Sequence, residues 1–211
     1  MELANFKFKN RFLKSKKKSP YLMIVLHGKG DSYKPFLHFD SELDLSSMNF
    51  LILNAPKKYL DGYSWYGDPP FLVEGVQQIR QDLFEVLEEL ELMGWKSKNI
   101  FFLGFSQGCL ISVDFALHYP KKLAGVIGIS GYFYFFPRWR SYLNKKNAKT
   151  PWLFTHGKND DVLPFANTFF GVKKMQQAGL QVNWLPSNKR HTFPSKEFPL
   201  IKKWILNQIS S

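Results

Sequence analysis

Short apolar runs recur along this chain, separated by longer segments of mixed polarity. Most are nearly continuous rather than alternating, which is typical of strands buried on both faces of a sheet. The runs cover residues 21–27, 49–55, 100–105, 124–130, 151–156 and 180–185. The pattern therefore predicts six buried strands.

Helical periodicity fills the segments between these runs. The clearest stretch, 76–90, places apolar residues three or four positions apart with charged residues opposite them. Further helices are predicted at 107–118, 165–178 and 197–209, with Pro199 in the first turn of the last, where its missing donor is tolerated. Strands that alternate with helices indicate an α/β fold with a mostly parallel central sheet and helices on both faces.

Two segments fall outside this alternation. Residues 6–12 alternate phenylalanine with lysine and predict an exposed strand, which we expect to pair with 21–27 as a hairpin across the lysine-rich loop. Residues 132–147 have the least regular pattern and predict a loop or a short lid. For a chain of 211 residues we expect a single domain over 1–211, without a large cap domain.

The composition narrows the class of protein. Cys109 is the only cysteine, so an intrachain disulfide is excluded and nothing indicates an oxidising compartment. No apolar block precedes the lysines near the N-terminus, and no stretch approaches the ~20 apolar residues of a membrane helix. We therefore expect a cytoplasmic protein.

The formal net charge of +12 raises the question of an anionic partner. Much of the charge lies in short patches at 14–18, 57–58, 145–146 and 189–190, which we interpret as solvated basic surface. No zinc-finger spacing or RNA-binding motif accompanies them, so we expect no nucleic-acid partner. Peripheral contact with an anionic membrane stays open.

The segment Gly104-Phe105-Ser106-Gln107-Gly108 fits the pattern Gly-x-Ser-x-Gly. It follows a predicted strand and opens a predicted helix, which is the setting of a nucleophile elbow. The glycines have a steric reason, because side chains at positions 104 and 108 would crowd the turn. Ser106 is therefore the candidate nucleophile, and the alternative is a strand–helix turn that merely uses glycines.

A serine nucleophile needs a base, and the base needs an orienting acid. His191, in the loop before the last predicted helix, is the candidate base. Asp160 and Asp161 both follow the next-to-last strand, and either can serve as the acid in the chain order Ser, Asp, His. His118 faces the wrong end of the sheet, and we interpret His156 as holding its loop by hydrogen bonds.

An oxyanion hole needs backbone N–H groups aimed at the developing negative charge. One comes from the residue after the nucleophile, Gln107, and we assign the other to Lys29 in the glycine-rich loop LHGKGDS. The same loop contains Gly-Asp-Ser, the nucleophile motif of a different hydrolase family, with Ser32 as its serine. The Asp-x-x-His pair of that family is absent near the C-terminus, so we interpret Ser32 as part of the oxyanion loop.

Together these motifs resemble the carboxylesterase/lysophospholipase family that includes the acyl-protein thioesterases. The matching blocks span nearly the whole chain: LHGKGDS, YSWYGD, GFSQG, HYPKKLAGVIGISG, HGKNDDVLP and KRHTF. The resemblance implies an α/β-hydrolase fold, with Ser106 as nucleophile, Asp160 as acid and His191 as base, and with no metal or cofactor. It also implies backbone oxyanion donors at Lys29 and Gln107.

The chain departs from the family pattern at several positions near the expected site. Lys29 stands where the family usually has an apolar residue, and Arg190 precedes the base where glycine is common. Gly67-Asp68 replaces an aspartate directly after the aromatic pair. These departures leave the expected catalysis intact, but they weaken the inference that this chain has the same substrates as the family.

We therefore expect a serine hydrolase that cleaves esters of short to medium acyl chains, from small-molecule or lipid substrates, through an acyl-enzyme. Trp65, Tyr66, Tyr132 and Phe133 are expected to line an apolar acyl groove, and packing in the core or under a lid is the alternative. Acyl-protein thioesterase or lysophospholipase activity, and a non-catalytic acyl- or lipid-binding role, are the alternative functions. The sequence leaves the physiological substrate, the preference between ester and thioester, and the oligomeric state open.

Overall fold

Seven strands form one mostly parallel sheet in the computed structural model, which describes residues 6–134 and 138–210. Across the sheet the order is β1 (Asn10–Leu13), β3 (Asn49–Leu53), β2 (Leu22–Leu26), β6 (Ile100–Phe105), β7 (Gly125–Ile129), β8 (Trp152–Gly157) and β9 (Val182–Ser187). Every neighbouring pair is parallel except β1 with β3. Two short strands, β4 (Lys57–Tyr59) and β5 (Gly62–Ser64), form a separate hairpin.

The described ranges contain five α-helices, and all but the first, a short turn that was not predicted, lie within a few residues of a predicted helix. They are α1 (Phe39–Glu42), α2 (Leu72–Leu92), α3 (Gln107–His118), α4 (Phe165–Gln177) and α5 (Phe198–Ile209). Pro199 lies in the first turn of α5, as predicted. Within the described ranges no large cap domain covers the sheet, and no helix combines the length and apolarity needed to cross a bilayer.

Strand side chains alternate between two apolar layers, which explains why the runs are continuous. On β2, Leu22, Ile24 and Leu26 pack in the layer formed by α2, α3 and α4, whereas Met23 and Val25 face the layer that contains α5. All five are completely buried. The prediction of helices on both faces of a mostly parallel sheet is confirmed.

The predicted pairing of the first strand is wrong. β1 begins at Asn10 and pairs antiparallel with β3, not with the 21–27 segment. Both edges of β2 are occupied by parallel neighbours, β3 and β6, so β2 has no free edge for a hairpin. The lysine-rich loop instead carries the chain past the amino end of β3 into β2.

The prediction of a fully buried strand at 180–185 is also wrong in part. β9 is the outer strand of the sheet, so none of its residues is fully buried, and partly buried and exposed residues alternate over 182–185. Residues 132–134 and 138–147 contain a 3-10 turn at Trp139–Tyr142 and otherwise irregular backbone, and a second 3-10 turn follows at Asn147–Lys149. Residues 135–137 of the predicted loop or lid lie outside the described residues.

Candidate active site

Ser106 stands at the tight turn between β6 and α3. Its φ of 52° lies in the left-handed region, which is uncommon for a residue other than glycine, and its N–H donates to the Ile129 carbonyl of β7 at 2.9 Å. A Cβ at Gly104 would lie 2.2 Å from the Gly108 carbonyl oxygen, and one at Gly108 would lie 2.3 Å from that of Leu26. The two glycines therefore allow the close approach of strand and helix that the sequence predicts.

The loops after β6, β8 and β9 bring Ser106, Asp160 and His191 together. His191 Nε2 lies 2.9 Å from Ser106 Oγ, and His191 Nδ1 lies 2.9 Å from Asp160 Oδ2. The Asp160 side chain has no exposed surface, and that of His191 is 14% exposed. A hydroxyl, an imidazole and a carboxylate thus form one hydrogen-bonded chain that opens to solvent at the serine.

The Asp160 carboxylate is surrounded by donors. Oδ1 accepts the N–H groups of Val162 and Leu163 at 3.0 and 2.8 Å, while Oδ2 accepts from His191. Burial by itself would raise the pKa of Asp160, but the hydrogen bonds from Leu163, His191 and Val162 together hold that pKa below its ordinary value. The carboxylate is therefore ionised at neutral pH, as a partner for an imidazolium must be.

Asp161, the other acid that the sequence left open, points away from this chain of bonds. Its side chain is half exposed and pairs with the Arg190 guanidinium on the surface. The structure therefore favours Asp160 over Asp161 as the acid, as the resemblance does.

The remaining downstream histidines lie outside the Ser106–His191–Asp160 chain. His156 is completely buried, and its Nε2 donates to the Leu163 carbonyl at 3.0 Å. The same nitrogen lies 3.2 Å from Asp160 Oδ2. It therefore braces the loop that carries Asp160. His118 lies at the end of α3, where its Nδ1 lies 2.7 Å from the Asp114 carbonyl oxygen.

A buried ion pair anchors the loop that carries His191. Lys189 Nζ donates to Glu197 Oε2 at 2.8 Å and to Thr155 Oγ1 at 3.1 Å, and Thr155 Oγ1 donates to the same Glu197 oxygen at 2.8 Å. Burial lowers the pKa of Lys189, although Glu197 opposes the shift. The interpretation of Lys189 as solvated surface is wrong, because the fold buries it two residues before the histidine.

The glycine-rich loop after β2 docks on the β5 strand. Gly30 N–H donates to the Tyr63 carbonyl, and Tyr63 N–H donates to the Asp31 carbonyl, both at 2.8 Å. No described residue accepts a hydrogen bond from the Lys29 N–H. Gln107 opens α3, where helix N–H groups lack acceptors within the helix. The two predicted oxyanion donors are thus the backbone N–H of Lys29, in the loop after β2, and that of Gln107, at the first residue of α3.

The Gln107 side chain has a role that the sequence analysis missed. Its Oε1 accepts the Trp65 N–H at 2.8 Å, and its Nε2 donates to the Tyr66 carbonyl at 3.1 Å. The amide is buried. It therefore ties the segment after β5 directly to the residue next to Ser106. A glutamine in the GFSQG turn was the available signal, but its partners are distant in sequence.

Lys29 and Ser32 have different surroundings. Lys29 Nζ donates to both Asp68 carboxylate oxygens at 2.8 and 2.7 Å and lies 4.5 Å from the Tyr59 ring centre. The hydrogen bond to Asp68 raises the pKa of Lys29.

Ser32 Oγ accepts the Lys34 N–H at 3.3 Å, a local turn contact that leaves it outside the Ser106–His191–Asp160 chain.

The four predicted groove aromatics separate into different environments. Trp65 is completely buried, and its indole N–H donates to the His27 carbonyl at 2.8 Å, so the prediction that it contacts substrate is wrong. Tyr66 is 2% exposed, and its hydroxyl bonds to that of Tyr132 at 2.7 Å. Tyr132 and Phe133 are partly exposed. Of the four predicted groove residues, Tyr132 and Phe133 are therefore the ones that solvent can reach.

A cavity whose lining includes Phe105, the residue before Ser106, was not predicted. The cavity has a volume of about 250 Å³, and the ring centre of Phe105 is 5.2 Å from that of His191. Five of its eight lining residues are phenylalanines, and the other three are Asp31, Pro35 and Glu42; the phenylalanines are Phe36, Phe39, Phe105, Phe193 and Phe198. We name it the phenylalanine cavity. The five residues are scattered over 163 positions, which is why no local pattern marks them.

Known proteins resemble this chain over nearly its whole length. The chain is 26% identical over 205 residues to acyl-protein thioesterase 1 of Schizosaccharomyces pombe, covering 90% of this chain and 91% of that protein. It is also 26% identical to the carboxylesterase SOBER1 of Arabidopsis thaliana, covering 89% of this chain and 90% of that one.

Solved structures show the same fold. The crystal structure of Arabidopsis SOBER1 superposes with a TM-score of 0.81 at 25% identity, covering 90% of this chain and 99% of that one. The Bacillus cereus carboxylesterase superposes with a TM-score of 0.83 at 22% identity, covering 97% and 96%. The sequence profile described as phospholipase/carboxylesterase matches residues 10–209. This protein therefore belongs to the phospholipase/carboxylesterase family of α/β-hydrolases and is an esterase- or thioesterase-type hydrolase.

Proposed function

We propose that this enzyme hydrolyses carboxylic esters of short to medium acyl chains through an acyl-enzyme on Ser106. The observation that carries the proposal is the continuous hydrogen-bonded chain from Ser106 through His191 to the buried Asp160. Such a chain activates a hydroxyl that is otherwise a poor nucleophile.

In the first half-reaction, Ser106 Oγ attacks the substrate carbonyl carbon while His191 Nε2 accepts the hydroxyl proton. Asp160 holds the ring by its Nδ1 and stabilises the imidazolium that forms. His191 then returns the proton to the leaving alcohol or thiol. In the second half-reaction, His191 takes a proton from water as the water oxygen attacks the acyl carbon. His191 then returns that proton to Ser106 Oγ as the acyl–oxygen bond breaks, which releases the carboxylic acid and restores the free enzyme.

The N–H groups of Lys29 and Gln107 are the proposed donors to the tetrahedral oxyanion. The Gln107 N–H lies at the amino end of α3, where the helix dipole favours negative charge. The loop of Lys29 is fixed by its two hydrogen bonds to β5. Donors held in place before the reaction stabilise the transition state without reorganisation.

The phenylalanine cavity is the proposed site for the acyl chain. Its volume of about 250 Å³ favours short to medium chains. Phe193→Trp should fill the cavity and lower kcat/KM for an octanoyl ester about tenfold while an acetyl ester changes little. Tyr134→Ala, at an exposed aromatic position outside the lining of the cavity, serves as the control. An unchanged chain-length profile in Phe193→Trp would contradict this assignment.

The experiment that tests the proposed function is hydrolysis of p-nitrophenyl esters by wild type, Ser106→Ala and Ser32→Ala. We expect Ser106→Ala to lose about 10³-fold or more in kcat, because the nucleophile is gone. Ser32→Ala, which removes the rival serine, should stay within about threefold of wild type. Loss of activity in Ser32→Ala with retention in Ser106→Ala would overturn the proposal.

Thioester hydrolysis is the second candidate, because curated relatives carry the name acyl-protein thioesterase. Matched oxygen and sulfur esters of one acyl chain separate the two. A kcat/KM for the thioester well above that of the ester would favour acylated proteins as substrates. A folded wild type that turns over neither substrate would favour a non-catalytic acyl-binding role.

A further inference from the structure

Lysines from three distant parts of the sequence converge on one groove. The groove lies at the amino ends of the parallel strands, beside the residues that precede β6, β7 and β8. Its volume is about 570 Å³. It is lined by seven lysines: Lys96, Lys98, Lys121, Lys122, Lys145, Lys146 and Lys149. We name it the lysine groove.

Positive charge in the lysine groove is almost uncompensated. Glu91 is the one carboxylate on its lining, and it accepts a hydrogen bond from Lys121 Nζ at 2.6 Å. Within the described ranges, the other six lysines form no ion pair, and all are exposed. Clustering like charges destabilises a folded surface, and the accumulated positive field attracts counter-ions.

The basic surface continues past Trp95. A neighbouring groove, also about 570 Å³, shares Trp95 and adds Lys14, Lys16 and Lys18 from the loop before β2. The sequence patches at 14–18 and 145–146 thus belong to one face of the molecule. That face lies opposite the carboxyl ends of the strands, where Ser106 and His191 are found.

We propose that the lysine groove binds a soluble anion that carries several phosphate groups. Lysine ammonium groups are compact point charges that suit phosphate oxygens, and no arginine lines the described walls for planar, bidentate recognition. The groove is shallow and open, and its volume lies within the usual range for small ligands, which fits a compact anion.

Two other polyanions fit less well. An anionic membrane bound at this face would turn Ser106 away from the lipid. Single-stranded RNA is usually held by successive aromatic platforms, whereas Trp95 is the one aromatic residue on the described wall of the groove. A compact polyphosphate needs neither a flat surface nor stacked bases.

The test is calorimetric titration with inorganic tripolyphosphate of wild type, Lys122→Glu/Lys149→Glu and Lys173→Glu/Lys203→Glu. The control lysines lie exposed on α4 and α5, away from the groove, and their replacement changes the net charge equally. We expect saturable binding by wild type, weakened at least about tenfold in the groove variant and less than about twofold in the control. Binding should weaken with added salt.

Esterase activity checks that each variant is folded, since none of these lysines contacts the Ser106–His191–Asp160 chain. Lys122→Gln/Lys149→Gln removes charge without reversing it and should give an intermediate loss. The proposal is overturned if folded wild type does not bind tripolyphosphate saturably, or if both double variants weaken equally. Groove-dependent binding of single-stranded RNA or phosphatidylserine vesicles, without tripolyphosphate binding, would also overturn it.

Discussion

The two ends of the central sheet handle charge in opposite ways. At the carboxyl end, the charged groups around Ser106 are paired: Asp160 with His191, Lys189 with Glu197, and Lys29 with Asp68. At the amino end, the lysine groove collects seven cations beside a single carboxylate. The net charge of +12 is therefore unevenly distributed over the fold.

This contrast separates two uses of electrostatics. Chemistry at a fixed atom needs each charge held by partners before the reaction begins. Attraction of a polyanion needs only an accumulated field, which salt screens. Disrupting pairs should therefore have large effects at the carboxyl end and small effects on stability or turnover at the amino end.

The largest effect is expected at Asp160. Asp160→Asn removes the negative charge that orients and stabilises His191, and kcat should fall about 10³- to 10⁴-fold. Asp161→Asn breaks only an exposed pair with Arg190 and should leave kcat within about twofold. Steady-state kinetics on one p-nitrophenyl ester compares them. Similar losses in both variants would contradict the separation of the two aspartates.

The next prediction concerns the stability that one ion pair at each end of the central sheet contributes. Glu197→Gln leaves the Lys189 charge buried without its carboxylate, which should lower the free energy of unfolding by roughly 3–5 kcal/mol. Glu91→Gln, at the lysine groove, breaks a more exposed pair and should cost about 1 kcal/mol or less. Urea unfolding at neutral pH measures both. Equal losses would show that burial does not set the difference.

Gln107→Ala should have an intermediate effect on catalysis. It removes the amide that ties Trp65 and Tyr66 to the turn of Ser106, so the backbone around the oxyanion donors loses support. We expect kcat to fall about tenfold to 100-fold, with KM changing less. Gln177→Ala, exposed at the end of α4, is the control. Wild-type kcat in Gln107→Ala would show that the side chain has no positioning role.

The smallest effect at the carboxyl end is expected for Lys29→Met. The pair with Asp68 is largely solvent-exposed on the Asp68 side, so losing it should cost less than about fivefold in kcat/KM. The difference from wild type should shrink in high salt, which screens the pair. A larger loss that persists in high salt would give the Lys29 side chain a direct part in the reaction.

The sequence predicts most of the fold because the buried strands and amphipathic helices carry local patterns. The pairing of β1 could not be predicted, since an antiparallel edge strand looks the same whichever strand it joins. The alternating exposure of β9 depends on its position at the edge of the sheet. Position in the sheet is a property of the topology, which a local run of residues does not encode.

In the candidate site, too, features with a local pattern could be predicted and features that depend on the topology could not. The GFSQG turn and the late aspartate and histidine could be placed from order and spacing, and the fold brings them into contact. Lys189 was misinterpreted because its neighbour Arg190 is solvent-exposed and its partner Glu197 reaches it only through the fold. Trp65 was misassigned because an aromatic beside a site looks the same in sequence whether it faces substrate or core.

Covalent labelling with a fluorophosphonate, which traps an activated serine, tests whether Ser106 is the nucleophile that His191 and Asp160 activate. Wild type should gain one probe on the peptide that contains Ser106, and Asp160→Asn should be labelled far more slowly, because the carboxylate that orients His191 is gone. Peptide mass spectrometry locates the label. Labelling at Ser32, or hydrolytic activity that persists in fully labelled enzyme, would contradict the account.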